Sequence, residues 1–249
     1  MQPGGWPVQW AAPPGVGAWM STRQGGASTG PYASLNLGGH VGDDPGTVAA
    51  NRLALARQLG GVRLQWLRQE HGARVVRASS ATTAEEPCAD AAWTDEPAVA
   101  CCVLVADCLP VLLAGADGRA VGAVHAGWRG LAAGVLEAGL EQVAHGAGCE
   151  PAQVVAWLGP CIGPRRFEVG EDVVQALGGG PRFTARGRRD GRDRWLADLS
   201  GLAADRLRRA GVVALGDGAA CTVEDASRFF SFRRDGVTGR LAAAVWRRP

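Results

Sequence analysis

Apolar residues in this chain fall mostly into short, strand-like runs, with fewer stretches at helical spacing. Residues 7 to 23 alternate loosely and end in Ser21-Thr22-Arg23-Gln24-Gly25-Gly26, a strand entering a glycine turn. A polar, glycine-rich loop over 27 to 46 carries Tyr32, Asn36, His40, Asp43 and Asp44, and an ordered loop of that length points to function. Val48, Leu53, Leu55, Ala56 and Leu59 predict an amphipathic helix over 46 to 60, stopped by Gly60-Gly61.

The middle of the chain is the most apolar. Val62 to Glu70 reads as a strand that stops at His71-Gly72, and Val75-Val76 begins another. Pro97 to Val105 predicts a strand buried on both faces, delivering Asp107 and Cys108 at its end. Val111 to Ala114 and Ala120 to Val124 form a predicted hairpin around Asp117-Gly118, its second arm ending at His125. Leu131, Val135, Leu136, Leu140 and Val143 share one stripe of a helix over 128 to 145. Further on, Val154 to Leu158 is a buried strand running into Gly159-Pro160-Cys161-Ile162-Gly163-Pro164. Helices follow over 171 to 177 and 198 to 210, then strands near 218 to 223, 229 to 233 and 241 to 246.

Composition narrows the function classes. The chain has 249 residues, 47% of them hydrophobic, with no internal repeat or linker, so one compact unit is expected. A net charge of +2 gives no long-range demand for nucleic acid or membrane, and a small polar ligand fits better. All 26 basic side chains are arginine, which excludes any lysine Schiff base, P-loop lysine or lysine base. Seven cysteines, with Cys101 and Cys102 adjacent, do not form a disulfide framework. With no basic-then-apolar leader and no spanning run, a cytoplasmic protein is expected. The arginine-rich stretch 182 to 194 reads as a mobile, solvated loop, since Phe183 is its only aromatic for stacking on nucleic acid.

Two of only 4 histidines, His71 and His125, stand where strand-like runs meet a glycine or small residue, and Cys108 stands at a third such place. Separations of 37 and 17 residues match no local zinc finger, so only a fold that converges strand ends brings the three together. Two imidazoles and a thiolate would then suit zinc with an open fourth position. The same residues also read as a hydrolase dyad, with Cys108 as nucleophile and His125 as base. The residues alone leave both open.

The ordered segments Thr22-Arg23-Gln24-Gly25-Gly26, Ser34-Leu35-Asn36-Leu37-Gly38, His40-Val41-Gly42-Asp43-Asp44, His71-Gly72, Ala106-Asp107-Cys108-Leu109-Pro110, His125-Ala126-Gly127-Trp128-Arg129-Gly130, Gly159-Pro160-Cys161-Ile162-Gly163 and Phe230-Ser231-Phe232-Arg233-Arg234 resemble the laccase-domain, or YfiH-type, family from about residue 20 onward. The resemblance implies a single-domain α/β fold over 1–249, a layered sandwich of central mixed sheets flanked by helices. It also implies a zinc ion at His71, Cys108 and His125. The implied activity is phosphorolysis of adenosine, inosine or guanosine, in some members methylthioadenosine, with adenosine deamination beside it. The family also carries a multicopper oxidase label and a link to peptidoglycan precursors. Four histidines are too few for a four-copper oxidase, and His145 belongs to a polar helix end, so zinc is expected over copper.

For a nucleoside enzyme acting as monomer or homodimer, each candidate has a role. Arg129 is the leading phosphate ligand, with Arg52 and Arg23 behind it, and Asn36 and His40 reach sugar hydroxyls or phosphate. Deamination needs an acid/base, for which Asp107 and Glu168 are candidates, although Asp107 reads better as a group orienting a metal ligand, and Glu168 equally as a helix cap. One of Arg233 and Arg234 faces the site if their segment is a strand. Cys161 reads as buried packing. The other classes are an amide hydrolase built on Cys108 and His125, and a zinc-stabilised binding protein without catalysis.

Overall fold

The computed structural model describes residues 2–81 and 86–249. Its elements, in chain order, begin with β1 (Gly5–Trp6), β2 (Val16–Ser21), α1 (Pro45–Gln58), β3 (Arg63–Gln65), β4 (Val75–Arg77) and β5 (Ala91–Thr94). The central run is β6 (Val99–Val105), β7 (Leu109–Gly115), β8 (Val121–Ala126), α2 (Trp128–Ala132), α3 (Val135–Ala147) and β9 (Val154–Leu158). The last third holds β10 (Glu168–Val169), α4 (Glu171–Ala176), β11 (Phe183–Arg189), β12 (Arg192–Ala197), α5 (Leu199–Arg209), β13 (Leu215–Asp217), α6 (Phe232–Asp235) and β14 (Leu241–Arg247).

Two mixed sheets lie face to face. One has the order β1-β2-β14-β6-β3, the other β13-β9-β7-β8-β5-β4. The period-two geometry of a strand explains their continuous apolar runs. On β6, Cys101, Val103 and Val105 enter the core between the sheets, while Ala100, Cys102 and Leu104 pack towards Leu55 and Leu59 at α1 and its end. On β7, Leu112 and Ala114 enter the same central core, while Leu109, Val111 and Leu113 face Leu136, Leu140 and Val143 of α3. The result is helix, sheet, sheet, helix, the mixed α/β sandwich expected. No helix among the described residues is long and apolar enough to cross a membrane.

Several expectations change. The helix over 128 to 145 is two helices, broken at Gly134, whose φ of +88° lies in the left-handed region that glycine enters without steric cost. The stretch 182 to 194 is not a loop but a hairpin, β11 paired with β12 around Asp190 and Gly191, both at positive φ (51° and 74°) as a tight two-residue turn requires. Phe183 and Trp195 pack against the core, and Arg182 bonds Asp198 and Asp205, so charge composition hid a strand pair anchored at its base. Residues 229 to 233 are not a strand. Phe229 and Phe230 are fully buried, and Ser231 starts the short α6 by accepting the Arg234 amide at 3.2 Å. The strand expected near 218 to 223 lies earlier, as β13, pairing parallel with β9, while Cys221 makes only an isolated bridge to Cys161.

Candidate metal centre and its cavity

Three chain turns meet at one end of the six-stranded sheet. His125 is the buried penultimate residue of β8, Cys108 immediately precedes β7, and His71 lies between β3 and β4. The pairing of β7 with β8, which sets Pro110 opposite His125, brings Cys108 alongside that histidine. His71 adopts φ 61°, and its Nε2 lies 3.8 Å from Cys108 Sγ. One donor atom from each of the three residues lies within 4.8 Å of the other two.

Asp90 holds the two histidines in place. Its carboxylate accepts from His125 Nδ1 at 2.8 Å and from the backbone amides of Glu70, His71 and Gly72 at 3.1, 2.9 and 2.7 Å. One carboxylate thus fixes the tautomer of one imidazole, leaving Nε2 for the cluster, and pins the backbone of the other. Burial opposes ionisation of Asp90, but the hydrogen bonds from His125 and Gly72 win and lower its pKa. Gly127 makes the close approach feasible: a Cβ there would stand 2.9 Å from Cys108 Sγ and 3.0 Å from His71 Cδ2.

Without a metal, the electrostatics of the cluster favour a thiolate at Cys108 beside a protonated His125. Burial raises the Cys108 pKa, yet the charge of His125, with hydrogen bonds from both histidines, outweighs it and brings the thiol down to about 6. Burial likewise lowers His125, but the Cys108 charge and the Asp90 hydrogen bond raise it to about 9. A thiol that ionises this easily, beside two imidazoles, suits a divalent ion with one open position. The residues do not fit a multicopper centre. Of the 4 histidines, His145 stands on the last turn of α3 outside the cavity, and Met20, the candidate thioether, is buried between the sheets.

The cluster opens into a cavity of about 480 Å³. Arg129, Arg233 and Arg240 line it, as do His40 and Gln69, while Ile162, Phe167, Leu199 and Phe232 give it apolar walls. Among the described residues, none of the three arginines forms an ion pair with a carboxylate. Arg129 stacks on Trp128 at 4.3 Å, and Arg233 and Arg240 direct Nη1 to backbone carbonyls. Three guanidinium groups without carboxylate partners around one cavity make it a candidate site for an anion. Burial and then the nearby Arg240 lower the pKa of His40, which favours its neutral form.

Asp107 is the only acidic side chain in the lining among the described residues. Its carboxylate accepts from Thr222 Oγ1 and the Arg233 amide, each at 2.6 Å, tying α6 to the site. Orientation of the histidines belongs to Asp90 instead. Of the remaining candidates, Asn36 spends its side chain on Gly38, Asp43 and the Arg240 amide, and Arg52 on Leu37 and Glu86 over Trp66. Glu168 pairs with Arg186 and Arg189 of the hairpin and does not cap α4, whose N-cap is Gly170. Arg23 bonds the carbonyls of Ala33 and Ala226. None of Asn36, Arg52, Glu168 and Arg23 lines the cavity. Arg233 faces the cavity and Arg234 holds carbonyls of Thr222, Val223 and Phe229. Cys161 is buried, with its pKa pushed up by desolvation.

Sequence reasoning passed over Asp90, Gln69 and Arg240. Asp90 carried a faint signal, a lone carboxylate opening the apolar run of β5. Gln69 bonds both backbone groups of Leu104, and Arg240 reaches the cavity from far along the chain, so nothing local announces either.

Known proteins resemble the chain over nearly its whole length, under two different functional descriptions. The family described as multi-copper polyphenol oxidoreductase laccase matches residues 17–248. A purine nucleoside phosphorylase of Pseudomonas aeruginosa is 45% identical over 239 residues, covering 95% of this chain and 96% of that one. Purine nucleoside phosphorylase YfiH of Escherichia coli is 44% identical over 240 residues, with 96% of each covered. The crystal structure of protein NMB0706 of Neisseria meningitidis superposes with a TM-score of 0.90 at 42% identity, over 98% of this chain and 99% of that one. YlmD of Geobacillus stearothermophilus gives 0.87 at 32% identity, over 95% and 93%. With its fold, its convergent His-Cys-His cluster and nearly its whole length matched, the chain belongs to the laccase-domain, YfiH-type family.

Proposed function

We propose that this chain is a zinc-dependent purine nucleoside phosphorylase, cleaving adenosine, inosine or guanosine, and methylthioadenosine as a further substrate, to free base and ribose 1-phosphate (5-methylthioribose 1-phosphate from methylthioadenosine). The observation that carries the reading is one cavity that joins an open His71, Cys108, His125 cluster to three arginines without carboxylate partners. The relatives named for that activity support it. Residues 1–249 act in this reading as a single catalytic domain in the cytoplasm, for which seven unpaired cysteines speak.

Phosphorolysis develops positive charge on the ribose and negative charge on the departing purine. Arg129, Arg233 and Arg240 grip the phosphate and hold it against the sugar, converting a two-body encounter into an oriented one. Neutral His40 at the rim offers a hydrogen bond to ribose hydroxyls. The apolar walls exclude water, which favours phosphate over hydrolysis. Zinc, when bound by His71, Cys108 and His125, supplies a Lewis acid with one open position.

Deamination of adenosine is a separate demand, because it needs a carboxylate free to shuttle a proton at the purine amino carbon. Asp107 is already engaged by Thr222 and Arg233, and Glu168 by two arginines, so phosphorolysis is taken as the main activity.

A second reading has its own support. Cys108, His125 and Asp90 stand in the order nucleophile, base, orienting acid, the logic of an amide hydrolase. His71 argues against it, since a hydrolase triad has no use for a second imidazole 3.8 Å from the sulfur. Purified chain, stripped and reloaded with zinc, is to be incubated with inosine with and without phosphate. Phosphate-dependent hypoxanthine release supports the proposal, and a stable acyl adduct on Cys108 from an amide substrate supports the hydrolase.

A further inference from the structure

Phe232 is 58% exposed and is the one exposed side chain among the phenylalanines, tyrosine and tryptophans of the described residues. A single exposed apolar side chain is ordinary in itself; what sets Phe232 apart from Leu53, Val213 and Val237, which are also exposed, is that it lines the cavity. The backbone beneath it is firmly held. Ser231 caps α6, the Arg233 amide bonds the Asp107 carboxylate at 2.6 Å, and the Arg234 guanidinium binds carbonyls of Thr222 and Phe229 at 2.8 and 3.0 Å. The two preceding phenylalanines, Phe229 and Phe230, are fully buried. Thus a rigid segment places one uncovered ring in the wall of the cavity that contains the His-Cys-His cluster. The Arg240 guanidinium carbon lies 5.8 Å from the ring centroid, which adds a cation beside the ring.

We propose that Phe232 is the platform on which the purine base stacks, making it the residue that selects a flat aromatic aglycone. This rests on the nucleoside reading and deepens it. The cavity lining then serves two parts of the substrate: the arginines take the phosphate, and Phe232, with Phe167 and Ile162 lining the same cavity, takes the base. A base seated on the ring removes both faces from water and excludes solvent from the bond that breaks. Stacking is tolerant of exocyclic groups, so adenosine, inosine and guanosine are all accommodated, whereas a ribosyl compound with an aliphatic aglycone is not.

The test uses the zinc-loaded chain and Phe232→Ala, with Phe232→Trp as rescue. Phe232→Ala is expected to raise the KM for inosine by about 5- to 100-fold, the range seen when a stacking aromatic is removed. The KM for phosphate, the affinity for ribose 1-phosphate in the reverse direction and the zinc content stay unchanged. Phe232→Trp restores the inosine KM. Calorimetric titration with hypoxanthine reads the same loss without catalysis. An active parent with an unchanged inosine KM in Phe232→Ala overturns this inference alone. A matching loss for ribose 1-phosphate also overturns it, because a general disturbance of the site is then the cause. A parent that neither cleaves inosine nor binds hypoxanthine overturns the nucleoside reading together with this one.

Discussion

Asp90 and His125 are joined by a 2.8 Å hydrogen bond between a carboxylate oxygen and Nδ1, deep in the protein, and the same carboxylate gathers three successive amides around His71. Two candidate metal ligands from distant parts of the chain therefore depend on one side chain outside the cluster. Replacing Asp90 by Asn or Ala is expected to weaken zinc binding by about 10- to 100-fold, the usual effect of removing such a partner. Competition with a chromophoric chelator measures it. Wild-type affinity in Asp90→Ala would show that the histidines are placed by packing alone.

Gly127→Ala tests the crowding around the same centre. The added methyl stands 2.9 Å from Cys108 Sγ and 3.0 Å from the His71 ring, so one ligand must move. A fall in zinc affinity of about ten-fold or more is expected with the fold retained, since misplacement by a fraction of an ångström is enough to spoil coordination. Circular dichroism and zinc titration of the variant check both parts.

The Cys108 thiol of metal-free protein titrates below the ordinary cysteine range, at about 6, because His125 and His71 stabilise its thiolate more than burial opposes it. The thiolate is the reactive form, so alkylation by iodoacetamide rises as pH increases through about 6 and levels off near neutrality. Cys101, Cys102 and Cys161 move the other way, raised by desolvation, and stay unreactive over that range. Mass spectrometry of the modified sites resolves them. Zinc is expected to protect Cys108 selectively.

Stability and chemistry are separable in this fold. Leu112 lies fully buried on the β7 face that meets the other sheet, away from the cavity wall. Leu112→Ala is expected to cost about 2–5 kcal/mol of unfolding free energy, from lost burial and the cavity left behind. Denaturant unfolding measures the loss, and zinc stoichiometry at low denaturant stays at the wild-type value.

The strand cores were readable because burial on both faces leaves an unbroken apolar run, as in β6, β7, β8 and β9. Cys108 and His125 were legible as candidates for a related reason, since they stand where such runs hand over to turns, whereas His71 lies six residues beyond β3 and is brought to them by the fold. What stayed hidden was set by contacts between distant segments. The arginines of β11 and β12 obscured a hairpin whose register is fixed by Phe183 and Trp195 beneath it. Glu168, by sequence an acid/base or helix-cap candidate, is held instead by Arg186 and Arg189 of that hairpin. Arg240 lies more than a hundred residues from Cys108, and only the pairing of β14 with β6 carries it to the cavity.

In the proposed phosphorolysis the three cavity arginines hold phosphate against a nucleoside bound beside the His-Cys-His cluster. The most direct measurement is the initial rate of hypoxanthine and ribose 1-phosphate release from inosine by the zinc-loaded chain across a phosphate titration, alongside Arg129→Met. Saturable dependence on phosphate, stoichiometric ribose 1-phosphate, and a phosphate KM raised about ten- to hundred-fold in Arg129→Met, as for loss of a charged hydrogen bond, are expected. Hypoxanthine released at the same rate without phosphate, with ribose as the product, would contradict it.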